Sequence, residues 1–437
     1  MRNRRRDHRG EIGRIAVPMG RTLSQSVVAD TDRSNQVTEL LKRAAYLPLF
    51  SMPNPLEPDV PISPLPLLTD LIPVLSNFIL IGVYVNEAPH RFEVVVEQPT
   101  PSRGLAAAHS VGQQAATINV HFAITPENFY AGPGIVPPPT LFIPFFSQRF
   151  SFPQGQFQFM DKDKSGFQGF GAGRTFPITV GGQIQIRIVG IIQILEGLGK
   201  FQGLQGIVVV NGEIKPPNEL ALFMMPRIMD PNGVLKADIQ PPIEPLVPVA
   251  DPDPTTAFLF FLSEPDPDYP ITMNRAGDGR ILGVNLFERL RLVRIGFDID
   301  TPQDIRSRTI EGPVVGSHRS TLIFDPNARG DVAPLYSCND IYTFYDQDGR
   351  TCGTLSANLV EGRAFRTQLS GVPNPVFRIG GGGPLLQGTE QFVGAQGLAS
   401  VNGVVSLDPP TVSNLYMLRI IDTAGAFRVI ARGEGLR

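Results

Sequence analysis

One twelve-residue frame, Leu-x-Gly-x-x-x-Phe-x-Gly-x-Gln-Gly, occurs twice in this chain, and the repetition limits the folds open to it. The first copy runs from Leu195 to Gly206 and the second from Leu386 to Gly397, an offset of 397 − 206 = 191 residues. Solenoid repeats recur every ~20 to 50 residues, so a period this long means duplicated domains. An aliphatic run and an Asn-Gly pair follow each copy, at Asn211-Gly212 and Asn402-Gly403.

The likeness extends in both directions with small slips. Phe159, Asp161 and Asp163 answer Phe344, Asp346 and Asp348, at an offset of 346 − 161 = 185. Arg174 answers Arg363 at 363 − 174 = 189, so the second copy carries extra residues between these points. Downstream, Arg227, Asp230 and Gly233 pair with Arg419, Asp422 and Gly425, each at 419 − 227 = 192. The clear repeat covers residues 155 to 236 and 340 to 428.

A chain of 437 residues exceeds what one hydrophobic core usually serves, and the repeat divides it in two. Gly 44 and Pro 42 together interrupt regular helices throughout, which marks a loop-rich β protein. A formal charge of −3 offers no general attraction for nucleic acid or anionic membranes. The basic start, Met1 to Arg9, is followed by no apolar run of signal-peptide length before Leu47, and it reads as a disordered tail. Leu65 to Val85 is apolar but holds Asp70, Pro73 and Asn77, so membrane insertion is not expected. Cys338 and Cys352 fall too far apart along a hairpin turned at Asp348-Gly349 for a disulfide. A cytoplasmic location is the default expectation.

Residues 1–75 are read as an N-terminal arm, with a short helix near 36–46 whose apolar face is Val37, Leu40, Leu41 and Ala44. Eight prolines from Pro48 to Pro73 make the rest of the arm an extended connector. Alternating segments at Ile118 to Ile124, Gln156 to Phe159 and Gln183 to Ile188 read as half-buried strands. Asn211-Gly212, Asp278-Gly279, Asp348-Gly349 and Asn402-Gly403 read as tight turns, because Asn, Asp and Gly tolerate positive φ. Prolines crowd residues 240–254, which are taken as a linker. An antiparallel sheet with many turns and one buried face commonly closes to remove its edges. The expectation is therefore all-β: one barrel over 76–239 and a second over 255–437.

The stretch from Arg378 to Gly397, with its Gly380 to Gly383 run and the Gly388, Thr389, Phe392 and Gly397 that follow, resembles the glycine-rich segment of the dirigent proteins. It is similar also to the corresponding segment of the allene oxide cyclases. Tyr342 to Gly349 resembles that family's early strand and turn. The likeness spans about 90 residues in each half and is weaker in the first, where Leu198 stands in place of Thr389. It implies eight-stranded barrels whose interior binds an apolar small molecule and holds a reactive intermediate for stereospecific closure. A rigid apolar lumen can do this by positioning alone, which needs no strong acid–base pair.

Residues kept in both copies, such as Arg174 and Arg363 or Arg227 and Arg419, are expected to serve the shared fold. Residues that differ are freer to act. Glu361 faces Ala172 and Tyr416 faces Met224 in the alignment, and a carboxylate with a phenol can polarise a carbonyl or orient an enol. With Tyr342 and Tyr345 they form the candidate catalytic set, all in the second barrel.

Other chemistry is poorly supported. Asp161 to Gly166 imitates the start of a calcium loop, but Ala172 stands where a bidentate Glu is required, so a hairpin turn is the reading. Gly380 to Gly383 lacks the Lys and helix of a phosphate loop and reads as a β-turn. The five histidines, His8, His90, His109, His121 and His318, show no pair at metal-ligand spacing. No cofactor or metal is called for. The leading expectation is a cofactor-independent cyclase or isomerase of secondary metabolism acting on an apolar small molecule, with room for a homo-oligomer. The competing one is a non-catalytic binding or structural protein built from duplicated barrels.

Overall fold

The computed structural model describes residues 33–53, 84–95, 114–124, 149–235, 256–298, 306–369, 372–421 and Phe427, less short gaps inside those spans. The N-terminal tail and the 240–254 linker lie outside the described residues. A helix over residues 35–42 opens the described chain. It ends earlier than its apolar periodicity suggests, because Ala44–Tyr46 is drawn into a strand, β1, that pairs with Arg227–Met229.

The first half continues with β2 (Leu49–Pro53), β3 (Tyr84–Val85), β4 (His90–Val95), β5 (Gln114–Ile124) and β6 (Arg149–Phe159). It is completed by β7 (Gly166–Val180), β8 (Gln183–Leu198), β9 (Gln205–Lys215) and β10 (Glu219–Met229). All are antiparallel, in the order β1-β10-β2-β4-β5-β6-β7-β8-β9, and β9 also pairs with β10, which curls the sheet back on itself. Residues 44–53 of the arm, where its connector was expected to begin, thus supply β1 and β2 to this sheet, and residues 54–75 lie outside the described residues.

The second half holds β11 (Thr256–Pro265), β12 (Thr272–Arg275), β13 (Ile281–Asp298), β14 (Arg306–Phe324) and β15 (Val332–Tyr345). It ends with β16 (Thr351–Asn358), β17 (Glu361–Thr367), β18 (Val376–Gly388), β19 (Gln396–Leu407) and β20 (Pro410–Ile421). Here β11 pairs with both β13 and β20, while β16 and β17 both bridge β15 to β18, so the antiparallel sheet closes into a barrel. The all-β, two-barrel architecture expected from the repeat is present. Among the described residues, no helix is long and apolar enough to cross a membrane.

The repeated frame is architectural. In each copy it leaves one strand, makes a single 3₁₀ turn (Gly199–Phe201 or Glu390–Phe392) and enters the next strand. Phe201 and Phe392 swing inward and are buried, Phe392 against Phe344 and Phe427. That turn folds tightly over the frame's first glycine. A Cβ on Gly197 would lie 2.1 Å from the Phe201 carbonyl oxygen, and one on Gly388 would lie 1.8 Å from that of Phe392.

Two expected turns are not turns. Asp278-Gly279 and Asp348-Gly349 do close hairpins, with Gly279 at φ +84° and Gly349 at +78°. Asn211 and Asn402, by contrast, lie mid-strand in β9 and β19 and are buried. The same is true of the Gly380 to Gly383 run, which forms part of β18 rather than a turn. A second apolar core explains all three. It joins the outer faces of the two barrels, setting Ile191, Ile207, Val209, Phe223 and Met225 against Phe258, Phe260, Val404, Leu415 and Met417. Asn402 donates across this seam to the carbonyls of Ile207 and Met225, at 2.8 and 3.2 Å. The glycines let the barrels approach, since a Cβ on Gly380 would lie 2.7 Å from Ile191 Cγ2 and one on Gly382 3.0 Å from Val189 Cβ.

Candidate functional site

Along a strand that lines a barrel, alternate side chains enter the lumen. On β13 these are Val284, Leu286, Glu288 and Leu290, and on β15 they are Cys338, Asp340, Tyr342 and Phe344, all buried. The same alternation on β14 brings in His318, Ser320 and Leu322, and on β20 Val412, Asn414, Tyr416 and Leu418. Three of these strands are registered so that Glu288, His318 and Tyr342 form one continuous row, Glu288 opposite His318 and His318 opposite Tyr342. An otherwise apolar lumen of Leu, Val and Phe therefore carries a belt of polar groups.

His318 is the hub. Its Nδ1 lies 2.9 Å from Glu288 Oε2, and its Nε2 faces Asp340 Oδ1 at 3.3 Å, off the line of a good hydrogen bond. Its ring packs between two phenols, with centroids 4.6 Å from Tyr342 and 4.3 Å from Tyr416. Glu288 is held by more donors: Asn414 Nδ2 at 2.7 Å on Oε1, and the Tyr416 hydroxyl together with His318 on Oε2. Asn414 Nδ2 also reaches the Tyr416 oxygen at 3.1 Å. Asp340 is held more loosely, by the Tyr342 hydroxyl at 3.3 Å and the Cys338 thiol at 3.2 Å.

Burial alone would lower the basicity of His318. The Asp340 charge, with the Glu288 hydrogen bond and charge, outweighs it and pushes the pKa from 6.5 up to about 9. The imidazole is thus a cation between two carboxylates. Burial, followed by the Glu288 charge, raises Tyr416 well above the ordinary phenol range, and burial with the Asp340 charge does the same for Tyr342. Both phenols stay protonated and able to donate. Cys338 is likewise raised by burial and by Asp340, which removes it as a thiolate nucleophile. Among the described residues, no group of His, Cys, Asp and Glu has the arrangement of a metal site.

Of the four residues singled out in the sequence, Tyr342 and Tyr416 enter this lumen, their rings 5.7 Å apart. Glu361 does not. On β17 it shares the outward face with Phe365, and its carboxylate lies 3.9 Å from Arg174 Nε of the first half, at the seam between the barrels. Tyr345 is also outside, bonded through its hydroxyl to Ser317 Oγ at 2.8 Å after a register shift that follows Phe344. Glu288, His318, Asp340 and Asn414 were not singled out. The signal that marks them is a titratable or amide residue at a lumen-facing position of an alternating strand.

The first half lacks this belt. By the 185 and 192 offsets, Phe157 stands for Tyr342, Met224 for Tyr416 and Leu222 for Asn414. Strand pairing extends the comparison upstream, where Ile118 opposes Phe157 and Phe92 opposes Ile118, so the row Glu288-His318-Tyr342 is matched by Phe92-Ile118-Phe157. At the positions matched by offset and by strand register, the first half carries apolar residue types where the second carries Glu288, His318, Tyr342, Asn414 and Tyr416.

No protein-family model matches the sequence, and no curated protein matches it. Among solved structures, the chain is similar to a pterocarpan synthase dirigent protein, GePTS1, at 13% identity and a TM-score of 0.23, covering 41% of this chain and 98% of that one. A superposition that poor carries no functional weight, and the polar lumen is what bears on function.

Proposed function

We propose that the second barrel binds a neutral, largely apolar small molecule and rearranges it by proton transfer, as a cofactor-independent cyclase or isomerase. The single observation that carries this reading is the buried row Glu288-His318-Tyr342 inside the second barrel, three polar residues in register across an otherwise apolar lumen. Titratable groups held inside an apolar cavity are costly to retain and are characteristic of sites. In this reading the chain is a tandem relative of the allene oxide cyclase and dirigent type, and the Gly380 to Gly397 segment supports that kinship.

The geometry divides the roles. Glu288 already accepts from three donors, so it anchors His318 and Tyr416. Asp340 accepts only from the Tyr342 hydroxyl and the Cys338 thiol, which leaves it the carboxylate to receive a proton. Tyr342 can turn its proton from Asp340 onto a substrate carbonyl, which stabilises an enolate as Asp340 takes the α-proton. Return of that proton to a different carbon shifts a double bond; for closure, the enolate carbon adds to an electrophilic double bond of the same molecule, forming the ring bond as that π bond breaks, and the proton returns to the anion so formed, with no redox change. His318 holds a compensating positive charge throughout. Two carboxylates against one imidazolium disfavour an anionic substrate, so a neutral one fits best.

One observation favours a second reading, in which the barrels only bind or brace. Glu288, His318, Asp340, Tyr342 and Tyr416 are each at most 2% exposed, so the belt is sealed from solvent. A model isomerisation separates the two. The full chain should convert 3-cyclohexen-1-one to its conjugated isomer, followed by ultraviolet absorbance, faster than buffer alone, and Asp340→Asn should lower the rate by about a hundredfold. Conversion no faster than buffer, or unaffected by the substitution, would remove the acid–base reading.

A further inference from the structure

The strand β20 is shared by two environments. Asn414 and Tyr416 project into the lumen, while Ser413, Leu415 and Met417 alternate with them and face the seam. From the first barrel, the buried Arg227 of β10 reaches this strand. Its Nη2 donates to Ser413 Oγ at 2.8 Å, and its Nη1 donates to the Ser413 carbonyl and, at 2.8 Å, to that of Asn402 on the neighbouring β19. The remaining Nη2 bond, 3.1 Å to the Leu41 carbonyl, ties in the N-terminal helix, and the guanidinium lies over the Tyr46 ring. Asn402 returns the contact through its two bonds to first-barrel carbonyls. A planar guanidinium fixed by four acceptors is a rigid clamp, and a lysine cannot reproduce its fork.

We propose that the first barrel serves as a positioning half for the second, with Arg227 as the positioning residue that holds β20 so that Asn414 and Tyr416 meet Glu288. The first half has apolar residue types at the positions matched to the belt, and its outer face grips the site strand. Ser413 is the direct neighbour of Asn414, and a shift of its backbone would move both donors off the Glu288 carboxylate. Only the donors on β20 depend on this clamp. The β14–β15 contacts, His318 with Asp340 and Tyr342 with Asp340, lie on strands the clamp does not touch.

This inference rests on the reading that the second lumen is the site, but its test reads geometry and not turnover. In the full chain, labelled with nitrogen-15 at histidine, the His318 ring nitrogens report the Glu288 contact directly. Arg227→Met should draw the Asn414 and Tyr416 donors off Glu288, leave that carboxylate a stronger partner for the imidazolium, and so move the His318 pKa up by about one unit, a tenfold change in proton affinity. Arg227→Lys should reverse part of that rise. Ser413→Ala, a smaller change, removes one acceptor and should shift the same resonances in the same direction, which keeps the test open if Arg227→Met does not fold. A folded Arg227→Met, or failing that a folded Ser413→Ala, with unchanged His318 resonances and titration would overturn the proposal. Absence of cyclohexenone turnover in the wild-type chain, with these shifts seen in the variants, would instead count against the chemistry alone.

Discussion

His318 and Glu288 are direct partners across the β13–β14 ladder, the imidazole Nδ1 2.9 Å from Oε2, with Asp340 facing the opposite ring nitrogen. Because the pKa of His318 is raised in the fold to about 9, the folded state binds its proton more tightly than the unfolded chain does. The stabilisation is fully present below about pH 6.5 and is lost as pH rises through about 9; the linked free energy is about 3 kcal/mol. The groups that face the ring are Glu288, Asp340, Tyr342 and Tyr416. Urea unfolding of the wild type should therefore show falling stability between these pH values. The decline should be absent from His318→Gln, which should itself be less stable by about 3 to 5 kcal/mol near neutrality because two buried carboxylates lose their cation. A parallel decline in both proteins would contradict the assignment.

Tyr416→Phe removes one hydroxyl that donates to Glu288 and accepts from Asn414. Leaving these groups buried without that partner should cost about 1 to 3 kcal/mol, measurable as a lower denaturation midpoint with an unchanged slope. The matching position of the first barrel is already apolar, so Met224→Leu should be close to neutral, within about 1.5 kcal/mol. Equal costs at the two positions would argue that the hydroxyl contributes nothing.

Gly380→Ala would set a methyl 2.7 Å from Ile191 Cγ2, across the seam. Overpacking of this kind costs about 1 to 3 kcal/mol. Because the obstructing atom is Ile191 Cγ2, Gly380→Ala should cost less in an Ile191→Ala background than in the wild type, and a double-mutant cycle on thermal unfolding measures the coupling. Strict additivity would mean that the barrels do not meet at this point.

The duplication and the β class were legible because they rest on patterns that burial does not alter: a long repeated frame, alternation, and Asp-Gly turns. Tyr342 and Tyr416 were also within reach. Tyr416 differs from its counterpart, and Tyr342 lies in the early strand whose likeness to a family drew attention to it. Glu288 and His318 were not, since they belong to β13 and β14, whose counterparts β4 and β5 are too diverged to align by residue and correspond only through strand pairing. Asn402 misled for a different reason. Asn-Gly carries the same local preference for a turn wherever it occurs, and only a second barrel against its strand makes a straight, buried asparagine the better arrangement. Glu361 misled similarly, since difference between copies marks divergence at an interface as readily as in a lumen.

Gly380 and Gly382 of β18 make the contact between the halves unlike on its two sides. Val189 and Ile191 project where the second barrel offers Gly382 and Gly380, although the 191 offset makes these the same places in the repeat. A symmetric pair would need one surface to fit a copy of itself. Two first barrels would drive Val189 and Ile191 into one another, and two second barrels would face each other across an unfilled trench. Each half is thus a mate for the other and for neither of its own kind, so joining them in one polypeptide fixes the ratio of clamp to site at one to one.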